Sequence, residues 1–205
     1  MVDKDKILRT LKQYFAYHGT VDIDDSGVVS TTGDVQFTGG QKKLPVRFGE
    51  VRGTFKVTQR KLTTLVGAPH TVGIQFICWG NQITSFEGAP VKVGFEVYAR
   101  DCQLTNLKGA PACTQLFVQN NPLQSLEGMP DNLKVIAFTW HAHLPLLQSL
   151  KAEEVRLYSA DAHTVSTSEL VCDKILRKYA GEGKPGAIRA AAELIKADLK
   201  GNARW

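Results

Sequence analysis

No stretch of the chain approaches the run of about 18 apolar residues that a membrane-spanning helix needs, so no membrane span is expected. The opening Met1-Val-Asp-Lys-Asp-Lys has charges of both signs and leads into an amphipathic segment, without the apolar stretch of a secretory signal. Cysteine is scarce: Cys78, Cys102, Cys113 and Cys172 form no CxxC pair. A chain of this size needs no disulfides, so reduced thiols and a cytoplasmic location are expected. There is no GxSxG and no glycine-rich phosphate loop leading into Lys-Ser/Thr. No cysteine stands beside a plausible His/Asn constellation. The expectation is a non-enzyme with no cofactor and no small-molecule substrate. His141-Ala-His143 puts two imidazoles on one side of a strand, but further ligands at suitable spacing are missing, so no metal is expected. Asp161 and His163 are close in sequence, which alone assigns them no role.

What the chain does have is a repeat. Leu62-Thr-Thr-Leu-Val-Gly-Ala-Pro69 returns as Ile83-Thr-Ser-Phe-Glu-Gly-Ala-Pro90 and Leu104-Thr-Asn-Leu-Lys-Gly-Ala-Pro111. It returns once more as Leu123-Gln-Ser-Leu-Glu-Gly-Met-Pro130. A fixed period near 20 residues means stacked structural units, each burying its apolar face against its neighbours. Upstream of each turn lies an octapeptide of the form LxLxxNxL. Phe76-Ile-Cys-Trp-Gly-Asn-Gln-Ile83 and Leu116-Phe-Val-Gln-Asn-Asn-Pro-Leu123 fit it. Val97 to Leu104 places Cys102 at the Asn position, and Phe55 to Leu62 places Arg60 there. In a strand the first and third residues of the octapeptide point inward. The Asn is expected to turn inward and satisfy buried backbone where the strand ends. The Gly-x-Pro return is too short and too proline-marked for a helix, so extended or turn structure is expected opposite the strands.

The repeat decays at both ends. Val35-Gln-Phe37 with Leu44 to Phe48 reads as a degenerate first turn, and Leu133 to Phe138 and Val155 to Ala160 as two further strands. About six or seven strands result. Residues 1–34 read as a helix and hairpin cap. Ile7, Leu8, Leu11, Tyr14 and Phe15 share a helical face, and Asp24-Asp-Ser-Gly27 forms the hairpin turn. Residues 35–163 form the solenoid and 164–205 a basic helical cap. Ser166-Thr-Ser-Glu169 opens a helix to about Ala180. After the break at Gly181 to Gly186, Ile188, Ala191, Ala192, Ile195 and Leu199 form the apolar face of a last helix. Terminal Trp205 reads either as packed on this cap or as an exposed anchor. The fold class is therefore an α+β repeat, a solenoid with a parallel sheet face, a helical N-cap and a two-helix C-cap.

Over residues 35–160 these octapeptides and L-T-S-L-x-G-A-P turns resemble the short, helix-poor leucine-rich repeats of some bacterial effectors and of tailed-bacteriophage proteins. The residues opening the turn are Leu62, Ile83, Leu104 and Leu123, and the turn glycines are Gly67, Gly88, Gly109 and Gly128. The segment from Lys178 to Arg204 also looks like the C-terminus of such phage proteins. The resemblance implies a leucine-rich-repeat fold and a binding role. It suggests a phage-encoded protein engaging a host factor in the host cytoplasm, with a phage structural component as an alternative.

The outward positions name the candidate surface. One column runs Lys56, Ile77, Tyr98, Phe117; another runs Thr58, Trp79, Arg100, Gln119; Arg156 and Tyr158 extend them. Outward Ile, Trp, Tyr and Phe cost solubility, and Tyr, Trp and Arg are enriched at interface hot spots. The expected protein-binding residues are Ile77, Trp79, Tyr98, Arg100, Phe117, Gln119 and Tyr158. Cover by a cap or a second copy, or plain strand propensity, would give the same pattern. The net charge of +5 is the second candidate, because residues 174–205 carry all of it, eight basic side chains against three acidic ones. Lys174, Arg177, Lys178, Arg189, Lys196 and Lys200 would suit contact with nucleic acid or simply a solvated face.

Overall fold

The computed structural model describes residues 2–160 and 166–205. Helix α1 (Lys4–Tyr14) starts where the Asp3 carboxylate accepts the Lys6 amide at 2.8 Å, and it buries Leu11. It ends at Tyr14, earlier than the His18-Gly19 signal suggests, because Phe15–Tyr17 is drawn into a sheet as β1. The chain then forms β2 (Val21–Ile23), β3 (Val28–Thr31), β4 (Val35–Phe37), β5 (Arg47–Val51) and β6 (Phe55–Lys56). There follow β7 (Thr71–Val72), β8 (Gln75–Ile77), β9 (Lys92–Val93), β10 (Glu96–Tyr98), β11 (Gln115–Phe117), β12 (Val135–Thr139) and β13 (Glu154–Tyr158). Two helices end it, α2 (Thr167–Tyr179) and α3 (Gly183–Lys196).

The architecture is a parallel-rich β-solenoid. The larger sheet has eight strands in the order β1-β4-β6-β8-β10-β11-β12-β13. All pairs are parallel except β1 with β4. Seven parallel strands give about seven coils. Phe55, Phe76, Val97 and Leu116 stack in register along the inner face, each fully buried. Leu62, Leu65, Ile83, Phe86, Leu104 and Leu107 close the core from the return side.

The return side is more ordered than the proline pattern suggests. A second sheet, β2-β3-β5-β7-β9, runs along it, parallel except for the β2–β3 hairpin. Its inner residues Val51, Val72 and Val93 recur at 21-residue spacing, each followed by a corner glycine at Gly53, Gly73 or Gly94. Strands of two residues are too short for a period-of-two pattern to reveal.

The inward Asn does what the octapeptide requires. Asn81 Oδ1 accepts the Arg60 and Leu62 amides, both at 3.0 Å, and its Nδ2 donates to the Val57 and Cys78 carbonyls. Asn121 serves Leu104, Ala99 and Val118 likewise. At the equivalent place the Cys102 thiol lies 3.5 Å from the Cys78 and Arg100 carbonyls, a weaker donor in the same role.

Residues 141–145 interrupt the repeat as an insertion, and past it the ladder persists, β12 and β13 pairing over five residues. The insertion is pinned by the far C-terminus, since Asn202 Nδ2 donates to the His141 and Leu144 carbonyls at 3.1 and 2.8 Å. Leu147–Lys151 forms a 3₁₀ turn beneath α3. Among the described residues no helix is long and apolar enough to cross a membrane.

Helix α3 corrects one expectation. Ala187, Ala190 and Leu194 face the interior, whereas Ile188 is 66% exposed and Ile195 50% exposed. The helix carries two apolar stripes, and the one made of small residues packs closer against α2 and the 3₁₀ turn.

Candidate functional site

Register turns the outward positions into surfaces. Cα pairing aligns Lys56, Ile77, Tyr98, Phe117, Ala137 and Arg156 in one column. The Tyr98 and Phe117 rings stack with centroids 4.7 Å apart and planes 7° from parallel. In the neighbouring column the Arg100 guanidinium lies 5.4 Å from the Trp79 ring centroid. Parallel strands separated by about 4.8 Å put like positions at stacking distance, so the repeat itself builds these pairs. Partial burial, with the Glu96 carboxylate beside it, raises the Tyr98 hydroxyl above the ordinary tyrosine range. The phenol therefore stays protonated at neutral pH. Gln75 in turn donates to Glu96 across the adjoining coil.

The column ends in a cleft that the sequence does not reveal. Ser159 and Ala160 after β13, and the face of α2 from Glu169 to Arg177, lie opposite the residues that follow β10 and β11. They leave a cavity of about 640 Å³. Arg100, Gln119, Tyr158, Asp173 and Arg177 line it. Helix α2 is capped by Ser166, whose Oγ accepts the Glu169 amide at 3.1 Å. The Glu169 carboxylate does not complete a reciprocal capping box. It accepts the Ser159 hydroxyl at 2.7 Å instead and ties the helix to the end of β13. Four of the seven expected face residues, Ile77, Trp79, Tyr98 and Phe117, remain half-buried on the open sheet. The other three, Arg100, Gln119 and Tyr158, belong to the cleft as well. So does Arg177 from the basic set.

The basic set is otherwise divided. Arg177 pairs with Asp173 at 2.7 Å, Lys178 with Glu193 at 2.6 Å, and Arg189 with Glu182. Lys174, Lys196 and Lys200 have no acidic partner among the described residues. Lys174, Lys178 and Lys196 rim a shallow groove between α2 and α3 with Val171, Ile175 and Ala197. Trp205 is 59% exposed, with Lys151 Nζ 6.0 Å from its ring centroid.

His141 Nε2 lies 3.5 Å from the Asn121 carbonyl, while His143 is exposed. No group of three or more metal-ligating side chains gathers among the described residues. Asp161 and His163 lie outside the described residues. All four cysteines are free, and burial is the main force on each thiol, pushing Cys102 up to about 11 and Cys113 up to about 12. At pH 8 a thiol with a pKa near 12 is ionised in about one molecule in ten thousand. The native protein is therefore expected to react with Ellman's reagent far more slowly than free cysteine, and to release four equivalents once unfolded in guanidinium. A thiol that titrates within seconds in the native state would contradict this.

Comparison with protein-family models, curated proteins and solved structures finds no match to this chain.

Proposed function

We propose that this chain is a non-enzymatic protein-binding module of leucine-rich-repeat type. It engages its partner through the strand face centred on Trp79, Tyr98, Arg100 and Phe117. The observation that carries this reading is the pre-stacked outward array, Tyr98 on Phe117 and Arg100 over Trp79, on an otherwise sealed core. Side chains already held in one rotamer lose little entropy on binding. Aromatic and arginine side chains are also those whose truncation costs most at interfaces. The mechanism is surface occupation: a partner segment lies across the coils and covers the two columns. The likeness of the repeats to those of tailed-bacteriophage proteins supports a phage-encoded factor acting on a host protein.

The joint substitution Trp79→Ser, Tyr98→Ser and Phe117→Ser is expected to leave the circular-dichroism spectrum unchanged. It is expected to lower the amount of partner captured from a cell lysate by about a hundredfold or more. Capture that survives this change, but is lost on replacing Lys174, Arg177 and Lys178 by Ala, would overturn the face reading. It would favour the basic helices instead. Steep loss of capture with rising salt would point to nucleic acid in that case.

A further inference from the structure

We infer that the cleft at the end of the strand face receives a cationic side chain, arginine or lysine, presented by the bound partner. The assignment rests on the strand-face reading for the source of that side chain, and on the cleft alone for its chemistry.

The first observation is a deficit of donors. Gln119 Oε1 and Asp173 Oδ1 are enclosed in the cleft wall with no hydrogen-bond donor among the described residues. Buried polar atoms in folded proteins are nearly always paired, and an ionised carboxylate can only accept. Both oxygens sit on terminal torsions that rotate broadly, so each can turn toward a donor entering the cleft. Neither of the two arginines in the wall donates to these two oxygens in the structure. Arg177 Nε is committed to Asp173 Oδ2 at 2.7 Å. Arg100 lies over Trp79, with its Nε 3.9 Å from Asp101.

The second observation is charge. Among the described residues, Asp101, Glu169 and Asp173 line the cavity against Arg100 and Arg177, leaving one negative charge in excess. This stands within a C-terminal region that is otherwise positive. An anionic guest would meet three carboxylates, one of them with an unpaired oxygen, and the unpaired Gln119 carbonyl. A guanidinium or ammonium brings donors only and relieves both.

The third observation is the apolar part of the wall. Leu157, Tyr158 and Leu170 line the same cavity, and Tyr158 and Leu170 are exposed. An aliphatic stem packs on such side chains while its charged head reaches the acceptors, and a tyrosine face attracts a cation. The volume of about 640 Å³ accommodates one long side chain with its flanking backbone.

The test needs no partner. The full-length ¹⁵N-labelled protein is titrated with the N-acetyl amides of arginine, lysine and glutamate, and amide shifts are followed by NMR. Saturable shifts of the Gln119 side-chain amide and of the Tyr158 and Leu170 backbone amides are expected with arginine or lysine. Asp173→Asn, which keeps the shape of the side chain and removes its charge, is expected to weaken that response about fivefold with the rest of the spectrum unchanged. No saturable shift with either cation, or an equal response to the glutamate compound, would overturn the assignment. The titration reads the cleft alone, whereas the triple serine variant reads partner capture. Failure of one reading is therefore distinguishable from failure of the other.

Discussion

Gly94→Ala is expected to lower the guanidinium midpoint of unfolding by about 1 M, a loss of about 4 kcal/mol or more. A Cβ at Gly94 would stand 2.0 Å from the Gly73 carbonyl oxygen and 2.9 Å from its carbon. The obstacle is backbone of the preceding coil, so no side-chain rotation removes it. Gly73 meets the Arg52 carbonyl at the same 2.0 Å, so the close approach recurs from coil to coil. The amides tie these corners tightly, Gly94 N donating to Val72 O at 2.9 Å and Gly73 N to Val51 O at 2.8 Å. Relieving the clash means prising two coils apart and breaking the second sheet where β7 meets β9. Gly40→Ala is the control, since nothing lies within 4 Å of its Cβ position, and its midpoint is expected to change by about 0.1 M at most. Equal midpoints for the two variants would show that the corner glycines are not what sets the coil spacing.

Asn81→Leu should be nearly as damaging, at about 4 kcal/mol. The substitution is close in volume, so the loss comes from backbone left unpaired. Two amides, Arg60 and Leu62, and the Val57 carbonyl depend on this one side chain, and the Cys78 carbonyl would keep only the weak Cys102 thiol as donor. Asn81 is only 4% exposed, so water does not replace those partners. Each buried group stripped of its partner costs about 1–3 kcal/mol. Asn81→Cys is expected to lose about half as much, because Cys102 holds the same position one coil on and directs its thiol to two carbonyls. Guanidinium unfolding followed by circular dichroism ranks the three proteins. Asn81→Leu no less stable than Asn81→Cys would show that shape, rather than hydrogen bonding, is what the position selects.

The legible parts of the chain are those where one coil is a copy of the last. The Phe76/Cys78 inward phase and the Ile77/Trp79 outward phase follow from period-two alternation within four residues. The inward Asn follows from the need to pair backbone at a strand end. Register then aligns Ile77 with Tyr98 and Tyr98 with Phe117, as the 21-residue and 19-residue offsets imply. The second sheet escaped because Thr71–Val72 and Lys92–Val93 offer too few residues for any periodicity. Its trace is the recurring valine with a glycine just behind it. The glycine's role becomes apparent only when coils are stacked.

The non-repeating parts were settled by contact rather than by pattern. Helix α3 is apolar on two sides, and hydrophobicity alone favours burying Ile188 and Ile195. Ala187, Ala190 and Leu194 face inward instead, because a stripe of small residues lets the helix lie close against its neighbours. In sequence the basic residues read as two helix surfaces, Lys174, Arg177 and Lys178 on one and Arg189, Lys196 and Lys200 on the other. In space Arg177, Lys178 and Arg189 are matched by Asp173, Glu193 and Glu182, which makes a continuous phosphate-tracking surface less coherent.

By itself, then, the sequence determined the coil, its period, its inward and outward faces and the helices at its ends. Each of these depends on local spacing and backbone pairing. The tertiary structure alone decided the cleft. Its walls come from Arg100, Gln119, Tyr158 and Asp173, which are far apart along the chain and carry no shared motif. They meet because α2 is tied by Glu169 to Ser159 at the end of the last strand, and such a meeting leaves no periodic signal to read.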